Sequence, residues 1–159
     1  MGNMFTAQNL GLDVSMSNGS TRVFFDVMAL SGSATAVTPW QQCLAVHFCD
    51  SERHCSGCSG FDLAEVPWTG DHPAEKECFL QLLDRAIHRH GWDRLHYDPP
   101  LVRDQLLDFR LMLAAFTPRE TTGSWMGDWT RPPQVHEVDR CVRHQVFQGE
   151  FGCRLCDVS

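Results

Sequence analysis

The sequence predicts an α+β fold in which a small antiparallel sheet packs on an antiparallel helix pair. Three observations lead to this: short alternating segments early in the chain, two amphipathic stretches in the middle, and a cysteine-rich segment at the end. With 159 residues, 43% of them hydrophobic, the chain can bury one core. An apolar sheet face and two apolar helix stripes would cover each other around that core.

The strands are expected within the first 58 residues. Residues 21–30 place apolar side chains on one face and a mixed set on the other, which is typical of a strand. Residues 10–16 would pair with them across residues 17–20, whose serine, asparagine and glycine favour a turn. Residues 43–49 are interpreted as a further strand.

Two helices are expected at about residues 72–90 and 100–116. Asp71 and Pro73 are typical of a helix start, and Gly91 is typical of a helix end. Two amphipathic helices joined by a short connection should pack antiparallel against the sheet. Their apolar stripes recur at helical spacing: Phe79, Leu82, Leu83, Ala86 and Ile87 in the first, and Val102, Leu106, Phe109, Leu113 and Phe116 in the second.

The segment between the second helix and the C-terminal cysteines, residues 117–133, carries three prolines and two tryptophans. A loop of this length in a compact domain often serves a function. Trp125 and Trp129 are the residue type that anchors protein interfaces, so they are the candidate partner-binding residues. The alternative is that both rings cover the helix pair or the C-terminal segment.

The strongest pattern lies in the last nineteen residues, where Cys141 and His144 are followed by Cys153 and Cys156. Two closely spaced ligand pairs, with glycines between them, can close a tetrahedral site around one Zn²⁺ ion. The segment, about residues 139–157, resembles a zinc-ribbon or treble-clef knuckle of the CxxH…CxxC kind. The resemblance implies a structural zinc, because four protein ligands leave no open position for a substrate.

A second group of candidate ligands lies upstream, at Cys49, Cys55 and Cys58. His47 or His54 would supply the fourth ligand, with Cys78 on the predicted helix as another candidate, which makes a second zinc possible. Two alternatives stay open. Cys55 and Cys58 could share one composite site with Cys153 and Cys156, or the upstream cysteines could be small buried apolar residues.

The cysteine-rich end suggests a division into an α+β domain at residues 1–134 and a zinc knuckle at 135–159. No run of residues approaches the length of a membrane span, and no secretory signal is visible, so a cytoplasmic location is expected. Eight cysteines in a reducing compartment favour metal over disulfides, although an even number also allows disulfides. The oligomeric state is not predicted.

The formal net charge of −7 favours a basic protein partner and makes nucleic acid an unexpected one. Motifs of zinc deaminases, metalloproteases and nucleotide-binding loops are absent from the sequence. The favoured function is therefore a non-enzymatic, zinc-stabilised protein-interaction domain acting as an adaptor, an inhibitor or an immunity-type protein. One alternative is a nucleic-acid-associated zinc regulator that uses Arg140, Arg143 and Arg154, and another is a metalloenzyme at the upstream cysteines.

Overall fold

The structure, a computed structural model, describes residues 2–53, 59–99, 102–120 and 133–156. Within them the predicted α+β class is confirmed, since a two-stranded antiparallel sheet accompanies the helices. No described helix has the length and apolar character that crossing a bilayer requires. The elements are β1 (Gly2–Ala7), β2 (Leu12–Ser17), α1 (Asn18–Thr35), α2 (Pro39–Asp50), α3 (His72–Ile87) and α4 (Val102–Ala115).

The sheet pairs β1 with β2, with Gly2 opposite Ser17 and Ala7 opposite Leu12. A short 3₁₀ turn and Gly11, whose φ of 67° is in the left-handed region that favours glycine, reverse the chain between them. The strand predicted at residues 10–16 is therefore confirmed with slightly later bounds. Its predicted pairing with residues 21–30 is wrong.

Residues 21–30 lie in α1 and form no strand. The predicted turn at 17–20 is instead the helix start, where the Ser17 hydroxyl accepts a hydrogen bond from the backbone N–H of Ser20 at 3.1 Å. Residues 24–33 of the helix are buried on all sides, with Phe24, Phe25, Val27 and Met28 all at 0% exposure. When nearly every position of a buried helix is apolar, its sequence fits the two-residue alternation of a strand as well as the helical period. This is why the sequence pattern of the segment predicts a strand.

Residues 43–49 likewise belong to a helix, α2, and the predicted strand is wrong. A capping box opens α2, because the Thr38 hydroxyl accepts from the backbone of Gln41 and the Gln41 side chain accepts from the backbone N–H of Thr38. Helix α2 lies close against α1, where a Cβ added at Gly32 would stand 3.1 Å from the Ala45 Cβ. The C-terminal segment packs against these two helices.

The predicted antiparallel helix pair is confirmed by two contacts between α3 and α4. Lys76, near the start of α3, donates to the carbonyl of Ala114 at the end of α4 at 2.9 Å. Further along α3, Asp84 accepts two hydrogen bonds from Arg110 of α4. Trp125 and Trp129 of the predicted interface loop lie outside the described residues, so that role stays a prediction.

A cluster of aromatic rings joins the sheet to α1 and α4. The ring centroid of Phe5 in β1 lies 5.4 Å from that of Phe24, 5.7 Å from that of Phe109 and 5.1 Å from that of Phe61. Tilted and edge-to-face pairs at these distances add to the stabilisation from burial. This aromatic cluster is the centre of the helical core.

Candidate metal centre

Two backbone turns present the four C-terminal candidate ligands. In the first, the N–H of Gln145 donates to the carbonyl of Cys141 and the N–H of Cys141 donates to that of Val146, both at 2.8 Å. In the second, the N–H of Cys156 donates to the carbonyl of Cys153 at 3.2 Å. The connection turns back at two glycines with positive φ, one of them Gly149 at 61°. The sequence therefore folds the two ligand pairs toward one point.

The ligand atoms of Cys141, His144, Cys153 and Cys156 all lie within 4.8 Å of one another. The Nδ1 of His144 is 3.8, 3.5 and 3.3 Å from the three sulfurs in that order, and the sulfurs of Cys141 and Cys156 are 3.6 Å apart. Zinc bonds of ~2.3 Å to sulfur and ~2.0 Å to nitrogen make a tetrahedron with edges of about 3.6–3.8 Å. The cluster therefore has the size of a tetrahedral zinc site. Its three cysteines are free, and the sulfurs of Cys141 and Cys156 are too far apart for a disulfide bond of ~2.05 Å.

The protein groups around the cluster favour the thiolate form of one cysteine and oppose that of another. Burial opposes ionisation of Cys141, but the backbone N–H groups of His144 and Arg143 lower the pKa of its thiol. Burial, together with the neighbouring Cys141, raises the pKa of Cys153 to about 12. Without a metal, the surrounding groups therefore favour the thiolate of Cys141 but oppose that of Cys153. A bound zinc ion would deprotonate every thiol that coordinates it.

His144 is the neutral member of the candidate ligand set. Burial lowers the pKa of its imidazole, and the nearby charges of Arg143, His96 and Arg94 lower it further. A neutral imidazole with a free lone pair is the form that binds a metal. Three of the four candidate ligands are buried, while Cys156 is exposed.

The second ligand turn is fixed to the core by Arg154, which stands between Cys153 and Cys156 and is only 4% exposed. Its Nε donates to the Asp26 carboxylate of α1 at 2.6 Å, and its Nη1 donates to the carbonyls of Phe48 and Ser51 at 2.7 Å each. Arg154 thereby caps the C-terminal end of α2 while pairing with a buried charge. Asp26 also accepts a hydrogen bond from the Tyr97 hydroxyl at 2.5 Å.

The connection between the two ligand turns is also held against α1 and α2. The Phe147 ring is buried among alanines of both helices, and its backbone N–H donates to the Ser33 hydroxyl at 3.0 Å. The Asp50 carboxylate accepts from the backbone N–H of Glu150 at 3.0 Å, and Arg53 donates to the carbonyl of Gly152 at 2.9 Å. The proposed boundary at residue 134 stays a prediction, but these contacts make both sides of it parts of one buried cluster.

The upstream candidates lie in different surroundings. Cys49 is fully buried beside the Ser33 hydroxyl, and burial raises the pKa of its thiol to about 11. The ring of His47 packs against three phenylalanine rings, and burial lowers the pKa of its imidazole to about 3. His54, Cys55 and Cys58 lie outside the described residues, so a second zinc, and whether His47 or His54 would ligate it, stay predictions.

The three arginines proposed to meet a nucleic acid do not share one exposed surface. Arg154 is buried in the Asp26 contact. Arg140 donates to the Ser33 carbonyl at 2.8 Å and stacks its guanidinium 4.9 Å from the centre of the Phe147 ring. Arg143 alone among them is exposed without such a described contact. The predicted arrangement of these arginines is therefore wrong.

Sequence reasoning missed Arg154 and Asp26 as residues of the site. A signal was present, since Asp26 is a single carboxylate inside the apolar run Val-Phe-Phe-Asp-Val, and a charge in such a run needs a buried partner. Its partner could not be identified from spacing, because 128 positions separate the two residues.

Comparison with known proteins gave no match to a family model, to a curated protein or to a solved structure. Within the part of the chain that the structure describes, the C-terminal cluster is the one group of three or more cysteine, histidine or acidic residues with ligand atoms close enough to hold a metal. The function must therefore be argued from this site and its surroundings.

Proposed function

We propose that this chain is a zinc-binding, non-catalytic protein-interaction domain in which Cys141, His144, Cys153 and Cys156 hold one structural Zn²⁺. The observation that carries the proposal is the tetrahedral size of the cluster, with four of its six edges at 3.3–3.8 Å and all six within 4.8 Å. Three sulfurs and one imidazole are also the donor types that zinc prefers.

The closed ligand set supports a structural ion. Four protein ligands complete a tetrahedron and leave no position for a water or a substrate. The contacts of Arg154 with Asp26 and with the end of α2 then hold the zinc-bound turn against the helical core. A role as an adaptor, inhibitor or immunity-type protein follows as the functional class for such a domain. The expectation of a basic partner rests on the net charge of −7 alone.

Cobalt substitution tests the metal site. Co²⁺ in a tetrahedral site with three thiolates should give intense d–d and thiolate-to-cobalt charge-transfer absorption. These bands should be lost in Cys153→Ser and retained in Cys78→Ser, a matched control in α3 whose sulfur accepts a hydrogen bond from Gln41. Bands of equal intensity in both variants would contradict the assigned ligands.

A second arm distinguishes a structural from a catalytic ion. Added azide or cyanide binds a metal with an open position and shifts its spectrum, whereas a closed site does not respond. We expect no response from the C-terminal site. A cobalt spectrum that shifts with azide would overturn the non-catalytic proposal and favour a metalloenzyme.

A further inference from the structure

The arginines of this acidic chain are unevenly distributed. Residues 85–97 and 140–144 together hold five arginines and four histidines but only one acidic residue, Asp93. The chain as a whole carries a formal net charge of −7. Positive charge is therefore concentrated in two short segments that are far apart in the sequence.

The fold brings these two segments together beside the ligand cluster. Arg94 donates to the backbone carbonyl of His144 at 3.4 Å. On the same segment the guanidinium of Arg89 lies 5.4 Å from the centre of the Trp92 ring, and Arg85 lies 3.3 Å from Nδ1 of His90. Arg140 does not join this group, because it is held by Ser33 and Phe147.

The resulting surface is exposed and carries one apolar side chain at its tip. Val142, between Cys141 and Arg143, is 93% exposed. We call this surface the basic face and define it by six exposed residues: Arg85, Arg89, Arg94, His96, Val142 and Arg143.

We infer that the basic face binds a short acidic segment of a protein partner that also carries an apolar residue for Val142. This inference rests on the proposed interaction function, and it replaces the basic partner suggested by the net charge of −7 with a partner whose acidic segment meets this one face. Guanidinium groups bind carboxylates through paired hydrogen bonds, and the basic face carries four arginines against the single exposed acid of the same segments, Asp93. A side chain as exposed as Val142 gains by being covered in a complex.

Two observations favour an acidic peptide over a nucleic acid. Trp92 is only 9% exposed, and Tyr97 is half-buried with its hydroxyl on Asp26, so neither of these large rings is free for base stacking, and His96 is the exposed ring of the basic face. The remainder of the chain is strongly acidic and would repel a long polyanion extending beyond the face. A peptide of a few residues would contact only the basic face and would not extend over the acidic surface around it.

Fluorescence anisotropy on an array of fluorescein-labelled acidic peptides tests the inference. Each peptide would carry one leucine or valine among aspartates and glutamates, with a partner peptide in which the acids are asparagine and glutamine. We expect salt-sensitive binding of acidic peptides, and little binding of the amide peptides. Arg94→Glu with Arg143→Glu should weaken binding by about tenfold or more, since two attractive contacts become repulsive.

The matched control is Lys76→Glu with Arg119→Glu, which makes the same charge change toward the opposite end of the helix pair, where Lys76 contacts Ala114. It should bind acidic peptides as the unaltered protein does. Because Arg94 contacts the backbone of His144, Arg85→Glu with Arg143→Glu serves as a second test pair, and zinc content is measured for every variant. Retained zinc with lost binding supports the inference.

Three results would overturn it: equal losses in the test and control pairs, equal binding of acidic and amide peptides, or tighter binding of a DNA or RNA duplex than of any acidic peptide. A protein without zinc would instead refute the proposed metal function. The two failures are therefore distinguishable, because zinc content is measured before any peptide is added.

Discussion

The helical core and the C-terminal segment, residues 133–156, are held in place by different interactions. In the core, rings such as Phe24 and Phe109 are fully buried and pack against one another. The C-terminal segment has little regular structure, and it is fixed by single polar contacts, by the Phe147 ring and by its ligand cluster. A core can fold from apolar burial alone, whereas a short irregular segment needs a cross-link to order its backbone.

Metal removal should produce the largest difference in stability between the helical core and the C-terminal segment. With a strong chelator, or in Cys141→Ser, we expect the backbone amides of 141–156 to lose protection from hydrogen exchange, while those of α3 and α4 keep it. Zinc contributes about 10–16 kcal/mol of apparent binding free energy in small zinc-dependent folds, which makes this the largest expected effect. Hydrogen exchange with mass spectrometry measures it. Unchanged protection of 141–156 after chelation would refute the comparison.

Arg154 is the point where the two regions depend on each other. Arg154→Met should leave the Asp26 carboxylate buried without its cation and should lower the free energy of unfolding by about 3–5 kcal/mol. Arg143→Met, in the other ligand turn, removes an exposed charge and should change the free energy of unfolding by less than about 0.5 kcal/mol. Urea unfolding of both variants measures the difference, and equal effects would show that Arg154 has no special role.

The acid sensitivity of the core should be traceable to His47. Its pKa is lowered by burial from 6.5 to about 3, so the folded state keeps it neutral while the unfolded chain takes up a proton. Stability is therefore lost as the pH falls below 6.5, by about 2–3 kcal/mol at pH 4.5. His47→Gln should lose less stability than the unaltered protein between pH 6.5 and 4.5, as measured by urea unfolding. An identical loss in both proteins would contradict this.

A pair of glycines gives the smallest test of the comparison. Gly149 has φ of 61°, and a Cβ there would stand 2.2 Å from the Asp50 carboxylate, so Gly149→Ala should cost about 2 kcal/mol. Gly19 is in the first turn of α1 with nothing within 4 Å, so Gly19→Ala should stabilise the protein by about 0.5 kcal/mol. If the melting temperatures of Gly149→Ala and Gly19→Ala shifted in the same direction, the backbone of the C-terminal segment at Gly149 would not be constrained as described.

The sequence was most informative where the local pattern was unambiguous. Helices α3 and α4 each have one apolar stripe and one polar side, so helical periodicity predicts them. The C-terminal ligands could be predicted because their spacing reflects two local turns. Helix α1 could not, because its surroundings are apolar on every side and its period is hidden.

Long-range pairing accounts for the rest of what sequence reasoning missed. The capping box at Thr38 and Gln41 was a local signal for α2 that the alternation of residues 43–49 concealed. The Arg154 contacts with Asp26 and with the end of α2 depend on how the C-terminal segment lies across two helices. That arrangement cannot be inferred from a single sequence.

Native mass spectrometry of protein purified without added metal tests the central claim most directly. The protein should carry zinc, and Cys153→Ser should carry one zinc ion fewer than Cys78→Ser prepared in the same way. Zinc-free protein, or an equal zinc content in the two variants, would contradict the assignment of Cys141, His144, Cys153 and Cys156 as a zinc site.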